Sequence, residues 1–184
     1  MNDAVDISLI IGIVVTMVLS AFFSGMEMAF VTSNRMLFEM DKEKNGIANH
    51  LVNFFYRQGN DFVSTMLVGN NAVLVVYGIL IARFFDNTIF QGLSPTVTVP
   101  ADTIISTIIM LFTGEFLPKT LFRRNPNRLM TVFSPLAFLF YIVLWPVSRV
   151  ATSLSKMLLR IIGIRIEKEV GDEEFSKVDL DYLV

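Results

Sequence analysis

The sequence predicts an all-α integral membrane protein, with three transmembrane helices, cytoplasmic juxtamembrane and interfacial helices, and interrupted helices at its polar centre. Three observations carry that reading. Hydrophobic residues make up 53% of the 184 and charged residues only 17%, with a mean hydropathy of +0.60, a balance that long apolar segments produce and a soluble enzyme domain does not. Charge-free apolar runs extend from Ile7 to Met26, from Phe62 to Ala82 and from Leu129 to Ser148, each near the ~20 residues a helix needs to span ~30 Å of hydrocarbon. Lys and Arg collect between these runs rather than within them, as they do in multi-pass membrane proteins.

Taken in chain order, the first run follows Asp3 and Asp6 with no Lys or Arg before it. It therefore lacks the positive region of a cleavable secretory signal and reads as a retained helix. Arg35 to Lys44 and Ile47 to Arg57 read as two short helices parted at Asn45-Gly46, a good helix stop. This segment holds Arg35, Lys42, Lys44 and Arg57, and the segment after Gly114 holds Lys119, Arg123, Arg124 and Arg128; both are expected on the cytoplasmic side. The connection from Arg83 to Asp102, with one arginine and two aspartates, is then external, and the amino terminus lies outside. Thr103 to Gly114 is a shorter run that spans only if its helix continues through Glu115 and Lys119 toward Leu121.

The run from 129 to 148 contains Pro135 and Pro146, each of which removes a helix hydrogen bond. The tail after Arg149 is basic again, with Lys156, Arg160, Arg165 and Lys168. Both facts favour a segment lying in or dipping into the cytoplasmic leaflet over a Pro-kinked fourth crossing, which proline-tolerant membrane helices would also permit. From Val150 to Ile166, Leu154, Met157, Leu158, Ile161 and Ile162 share one face and Lys156 and Arg160 another, the pattern of an interfacial helix. Residues 1–166 thus form a membrane domain. The acidic stretch from Glu167 onward reads as a linker over 167–184 toward a following cytoplasmic domain, which places the carboxyl terminus in the cytoplasm of a multi-pass cell-membrane protein.

Polar and ionisable groups inside a bilayer are costly, so each one is a candidate for function. In the first crossing Ser20, Ser24 and Glu27 share one helical stripe, with Gly25 beside them. The second carries Gly69-Asn70-Asn71 in mid-run, with Ser64 and Thr65 one to two turns earlier. The third carries Thr113-Gly114-Glu115-Phe116-Leu117-Pro118-Lys119. Structural roles are available for each: small residues as helix contacts, amides bonding between helices, and Glu115 pairing with Lys119 one turn on. Their coincidence at comparable depth on three crossings, two of them interrupted by glycine next to a nearby glutamate, points instead to an ion site of the kind transporters build on interrupted helices. Hydroxyl, amide, carboxylate and carbonyl oxygens suit Mg²⁺, Ca²⁺ or Na⁺.

Other chemistries find no support. Cysteine is absent and His50 is the single histidine, in the cytoplasmic helical pair where a solvated surface role is expected, so zinc, copper and thiolate chemistry lack ligands. There is no phosphate-binding glycine loop and no Ser, His and Asp set for hydrolysis. The basic residues lie near the membrane, where orientation and anionic lipid account for them better than nucleic acid does.

The stretch Leu19-Ser20-Ala21-Phe22-Phe23-Ser24-Gly25-Met26-Glu27-Met28-Ala29-Phe30, the Gly69-Asn70-Asn71 step and Gly114-Glu115-Phe116-Leu117-Pro118-Lys119-Thr120 together resemble the transmembrane domain of the CNNM/CorB/CorC family over nearly the whole chain. Leu74 departs from the pattern, standing where relatives often have asparagine. The resemblance implies a dimeric Mg²⁺ transporter or efflux protein with three transmembrane helices plus juxtamembrane helices, working by alternating access with Na⁺ as a candidate coupling ion. It also implies that ATP acts only through a CBS pair that would follow the membrane domain. Three crossings are in any case few to enclose an ion path, which favours a homodimer. The metal set expected on these grounds is Ser20, Ser24, Gly25, Asn70, Asn71, Gly114 and Glu115, with Glu27, Ser64, Pro118 and Lys119 in pathway or structural roles. The competing expectation is a membrane scaffold or Mg²⁺ sensor whose polar residues only lock the helices.

Overall fold

A computed structural model describes residues 2–40, 46–88 and 94–161. Among them every regular element is helical: α1 (Asn2–Thr32), α2 (Arg35–Met40), α3 (Ile47–Arg57), α4 (Gly59–Thr88), α5 (Pro95–Met110), a π-helical segment (Leu111–Phe116), α6 (Leu117–Arg124) and α7 (Pro126–Ile161). The described residues fall into two compact units that meet between Ser148 and Arg149. The linker over 167–184, the end of the expected interfacial helix at 162–166, Lys42, Lys44 and residues 89–93 of the external connection lie outside the described residues.

Several expectations meet the structure directly. The helix expected from Ile47 to Arg57 has those bounds. The second apolar run grows from 62–82 to the 30 residues of α4, because the flanking polar residues still satisfy their backbone inside the helix. α5 begins at Pro95, with proline in its first turn, where no amide donor is needed, so much of the expected external connection is helix.

Four helices, one more than the three crossings expected, are long and apolar enough to cross a membrane by length and composition: 7–32, 59–88, 96–124 and 126–155. Two expectations of interrupted helices are corrected. The segment 129–148 is not broken at its prolines but lies within the 36 residues of α7. Pro135 withholds an amide from the Thr131 carbonyl, and the Ser134 hydroxyl donates to that carbonyl instead, at 2.9 Å, so one substitute hydrogen bond removes the reason to break. Likewise α1 runs unbroken through Ser24-Gly25, and Pro118 does not end its helix but sits in the first turn of α6 directly after the π segment.

The core divides in two. Around the carboxyl-terminal end of α1, Phe22, Phe23, Met26 and Ala29 pack with Val52 and Phe55 of α3, Phe62 and Met66 of α4, and Met130, Ala137 and Tyr141 of α7. Most of the rings meet edge-on or tilted, with centroids 4.3 Å apart for Phe55 and Phe62 and 5.0 Å for Phe23 and Phe140, which adds to the dispersion gained by burial. Polar bonds fasten the same end: Tyr56 donates to Ser33 Oγ at 2.8 Å and Tyr141 to Gln58 Oε1 at 2.7 Å. Toward the other end a smaller cluster joins Ile13, Tyr77, Ile81, Phe85 and Met110.

Candidate cation site

The polar residues of α1, α4 and the π segment meet at the seam between the two clusters. Ser20 and Ser24, four residues apart on one face of α1, are both fully buried. The Ser20 hydroxyl donates to Asn70 Oδ1 of α4 at 2.7 Å. Across from them a Cβ on Gly114 would stand 3.1 Å from Ser20 Oγ and 2.8 Å from Met110 Sδ; the missing side chain is what lets the backbone of the π segment approach the α1 stripe. Gly69 does the same for α4, where a Cβ would fall 2.8 Å from the Phe23 ring and 2.9 Å from Leu144.

The π segment supplies a second feature. Leu117 N–H donates to the Phe112 carbonyl, five residues back, and single π turns inside α-helices recur at functional sites. Pro118, buried at the start of α6, has no N–H, so the carbonyl of Gly114 lacks its ordinary α-helical donor. The Ser24 hydroxyl completes the picture: it is buried and has no hydrogen-bond partner, an unusual condition for a buried polar group.

The remaining expected residues fall as follows. Gly25 is a packing residue, since a Cβ there would lie 2.6 Å from the Phe122 ring of α6. Glu27 and Ser64 are half-buried, and Asn71 is exposed; adjacent helix residues point about 100° apart, so α4 cannot turn both amides toward Ser20. Glu115 is half-buried and lines a cleft of about 490 Å³ between α4 and α5, together with Leu74, Tyr77, Asp86, Asp102 and Met110. No ion pair joins Glu115 to Lys119, and among the described residues no three His, Asp or Glu side chains gather as a metal-binding group. His50 is exposed.

Sequence reasoning missed Asp86 and Asp102 by assigning them to an external loop. Asp102 lies within α5, and its Oδ1 is buried with no hydrogen-bond partner. An ionisable residue seven positions after Pro95 and bordered by an apolar run was the available signal. Tyr77, whose hydroxyl donates to the Ser106 carbonyl at 3.2 Å, ties α4 to α5 beside the cleft.

Comparison with known proteins places the chain in a wider group. Residues 11–184 match the family model described as the cyclin M transmembrane N-terminal domain. The chain is similar to the UPF0053 protein MG146 homolog of Mycoplasma pneumoniae, 27% identical over 148 residues that cover 78% of this chain and 34% of that protein. It is similar to the UPF0053 inner membrane protein YfjD of Escherichia coli, 29% identical over 167 residues, or 90% of this chain and 37% of that one. A DUF21 domain-containing protein of Arabidopsis thaliana, At1g55930, chloroplastic, is 32% identical over 165 residues, 86% of this chain and 24% of its own length. The chain thus spans about a third or less of each of these relatives.

Proposed function

The chain belongs to the family of cyclin M transmembrane domains, and on that premise we propose that it carries a hard divalent cation, Mg²⁺ foremost, across the bilayer by alternating access, with Na⁺ as coupling ion. The family is linked to divalent-cation transport and is not an enzyme class. One observation carries the reading: the orphaned Ser24 hydroxyl lies one turn from the Ser20–Asn70 bond, where Gly114 brings the backbone of the π segment close to Ser20. Neutral oxygens of this kind, with the carboxylate of Glu115 next in chain to Gly114, are the ligands a dehydrated Mg²⁺ accepts at ~2.0–2.1 Å. Asn71 and Gly25 fall outside the set, the first exposed on another flank of α4 and the second filled against by Phe122.

Glu115 supplies the charge. A membrane-depth carboxylate without an ion partner is costly, and Lys119 does not pair with it, so a bound cation is the compensation we assign to it. In proteoliposomes loaded with a Mg²⁺-sensitive dye, wild-type protein should conduct and Glu115→Gln should lose at least ~90% of the flux, the loss of a charge-assisted ligand being worth more than a factor of ten. Wild-type flux in a folded Glu115→Gln protein would remove Glu115 from the path. The same preparation, sized in mild detergent, should run as two copies of the 20.8 kDa chain, since so few crossings enclose a path only in pairs; a single copy would contradict the dimer.

For topology we propose three crossings, with the amino terminus outside and the carboxyl terminus cytoplasmic. Support comes from the charge distribution: Arg123, Arg124 and Arg128 stand before the apolar stretch of α7 and Lys156 and Arg160 after it, and basic residues at both ends of a stretch favour the cytoplasmic side for both. A single cysteine at Val150 should be labelled only from the cytoplasmic side of intact cells; labelling from outside would establish a fourth crossing.

A further inference from the structure

We propose that Arg35, Arg123, Arg124 and Arg128 form a docking site for the phosphate of an anionic phospholipid headgroup. Two stretches of chain 93 residues apart are locked together at this point: Asn34 N–H donates to Asn127 Oδ1 at 3.0 Å, and Asn127 Nδ2 donates back to the Asn34 carbonyl at 3.4 Å. Arg35 and Arg128 are the immediate chain neighbours of the two clamped asparagines, and Arg123 and Arg124 close the last turn of α6 just before them. All four are exposed. No hydrogen bond or ion pair to another described residue engages Arg123, Arg124 or Arg128.

Depth and chemistry select the occupant. The apolar stretches 7–32, 96–124 and 126–155 each have one end within four residues of an arginine of the set, so the patch stands where hydrocarbon gives way to headgroups. Leu117 and Leu121 of α6 and Val132 of α7 are exposed close by, apolar surface suited to acyl chains and of no use to a soluble phosphate. All four cations are arginine, whose planar fork grips a phosphate by two parallel hydrogen bonds where lysine offers a point charge. The general preference for positive charge on one side of a membrane counts charges and does not require that they be gathered; here the asparagine clamp gathers them.

The test is thermal melting of the full chain in detergent, titrated with phosphatidylglycerol, phosphatidylcholine or inorganic phosphate, so that neither orientation nor transport enters the result. Wild-type protein should gain melting temperature saturably with phosphatidylglycerol and not with the other two. Arg123→Gln with Arg128→Gln should raise the half-saturating lipid concentration about tenfold, the loss of one or two charge-assisted bonds. If that pair fails to fold, Arg123→Lys with Arg128→Lys keeps the charge, loses the fork and should still weaken the response severalfold. Asn127→Ala, which keeps every arginine but opens the clamp, should also weaken it, and Arg83→Gln at the other end of α4 should not. Unchanged half-saturation in the folded arginine pair, or in Asn127→Ala, would overturn the site, and an equal response to inorganic phosphate would overturn the lipid.

Discussion

The two ends of the molecule are built differently. At the end where α1 finishes and α4 begins, rings from α1, α3, α4 and α7 fill the space between four helices, and Phe55, Phe62, Met26 and Met66 have no exposed surface. At the other end five residues form a smaller cluster beside an open cleft lined by Tyr77, Asp86, Asp102 and Glu115. Close packing resists rearrangement because each displaced side chain loses many contacts at once. A seam between a filled end and an open one is therefore where a small polar site can form and change its access without dismantling the fold, and Ser20, Ser24, Asn70 and Gly114 lie on that seam.

The contrast is broken or sharpened first by matched truncations. Phe62→Ala, at the centre of three ring contacts, should cost about 3–5 kcal/mol in denaturant unfolding from mild detergent. Phe85→Ala, 6% exposed beside the cleft, should cost roughly 1–2 kcal/mol less, because the emptier surroundings lose fewer contacts. Equal losses would show that the two ends are packed alike.

A smaller effect is expected at the seam itself. Gly25→Ala would push a methyl to 2.6 Å from the Phe122 ring, so α1 and α6 must part or the ring must turn, at about 1–3 kcal/mol. Because α6 follows the π segment directly, the same substitution should also lower Mg²⁺ flux. A Gly25→Ala protein with wild-type melting and flux would mean that α6 yields freely and the seam is not tightly built.

Much of this was legible from residue types and spacing. Serines four apart on an apolar helix foretold the buried pair Ser20 and Ser24. Three things were not legible, each for a physical reason. Asn70 and Asn71 are chemically alike, and only the helix phase set by tertiary packing decides which one faces Ser20. Pro135 carries the same helix-breaking chemistry anywhere, and its effect turns on whether a neighbour such as Ser134 can satisfy the stranded carbonyl. The π segment changes register by one residue, a difference smaller than any composition signal, and the cleft depends on a pairing of α4 with α5 that neither helix announces.

The most direct test lies in the smallest change. Ser24→Ala removes a hydroxyl that makes no protein hydrogen bond, so deleting it should leave thermal stability in metal-free buffer unchanged within about 0.5 kcal/mol or raise it slightly. If that oxygen is kept for a cation, isothermal titration of the same sample with Mg²⁺ should show affinity reduced by about tenfold or more, the worth of one ligand to a charged ion. A variant that melts like the wild type and binds Mg²⁺ weakly would bear out the site at the seam, whereas one that binds Mg²⁺ as tightly as the wild type would place the ion elsewhere.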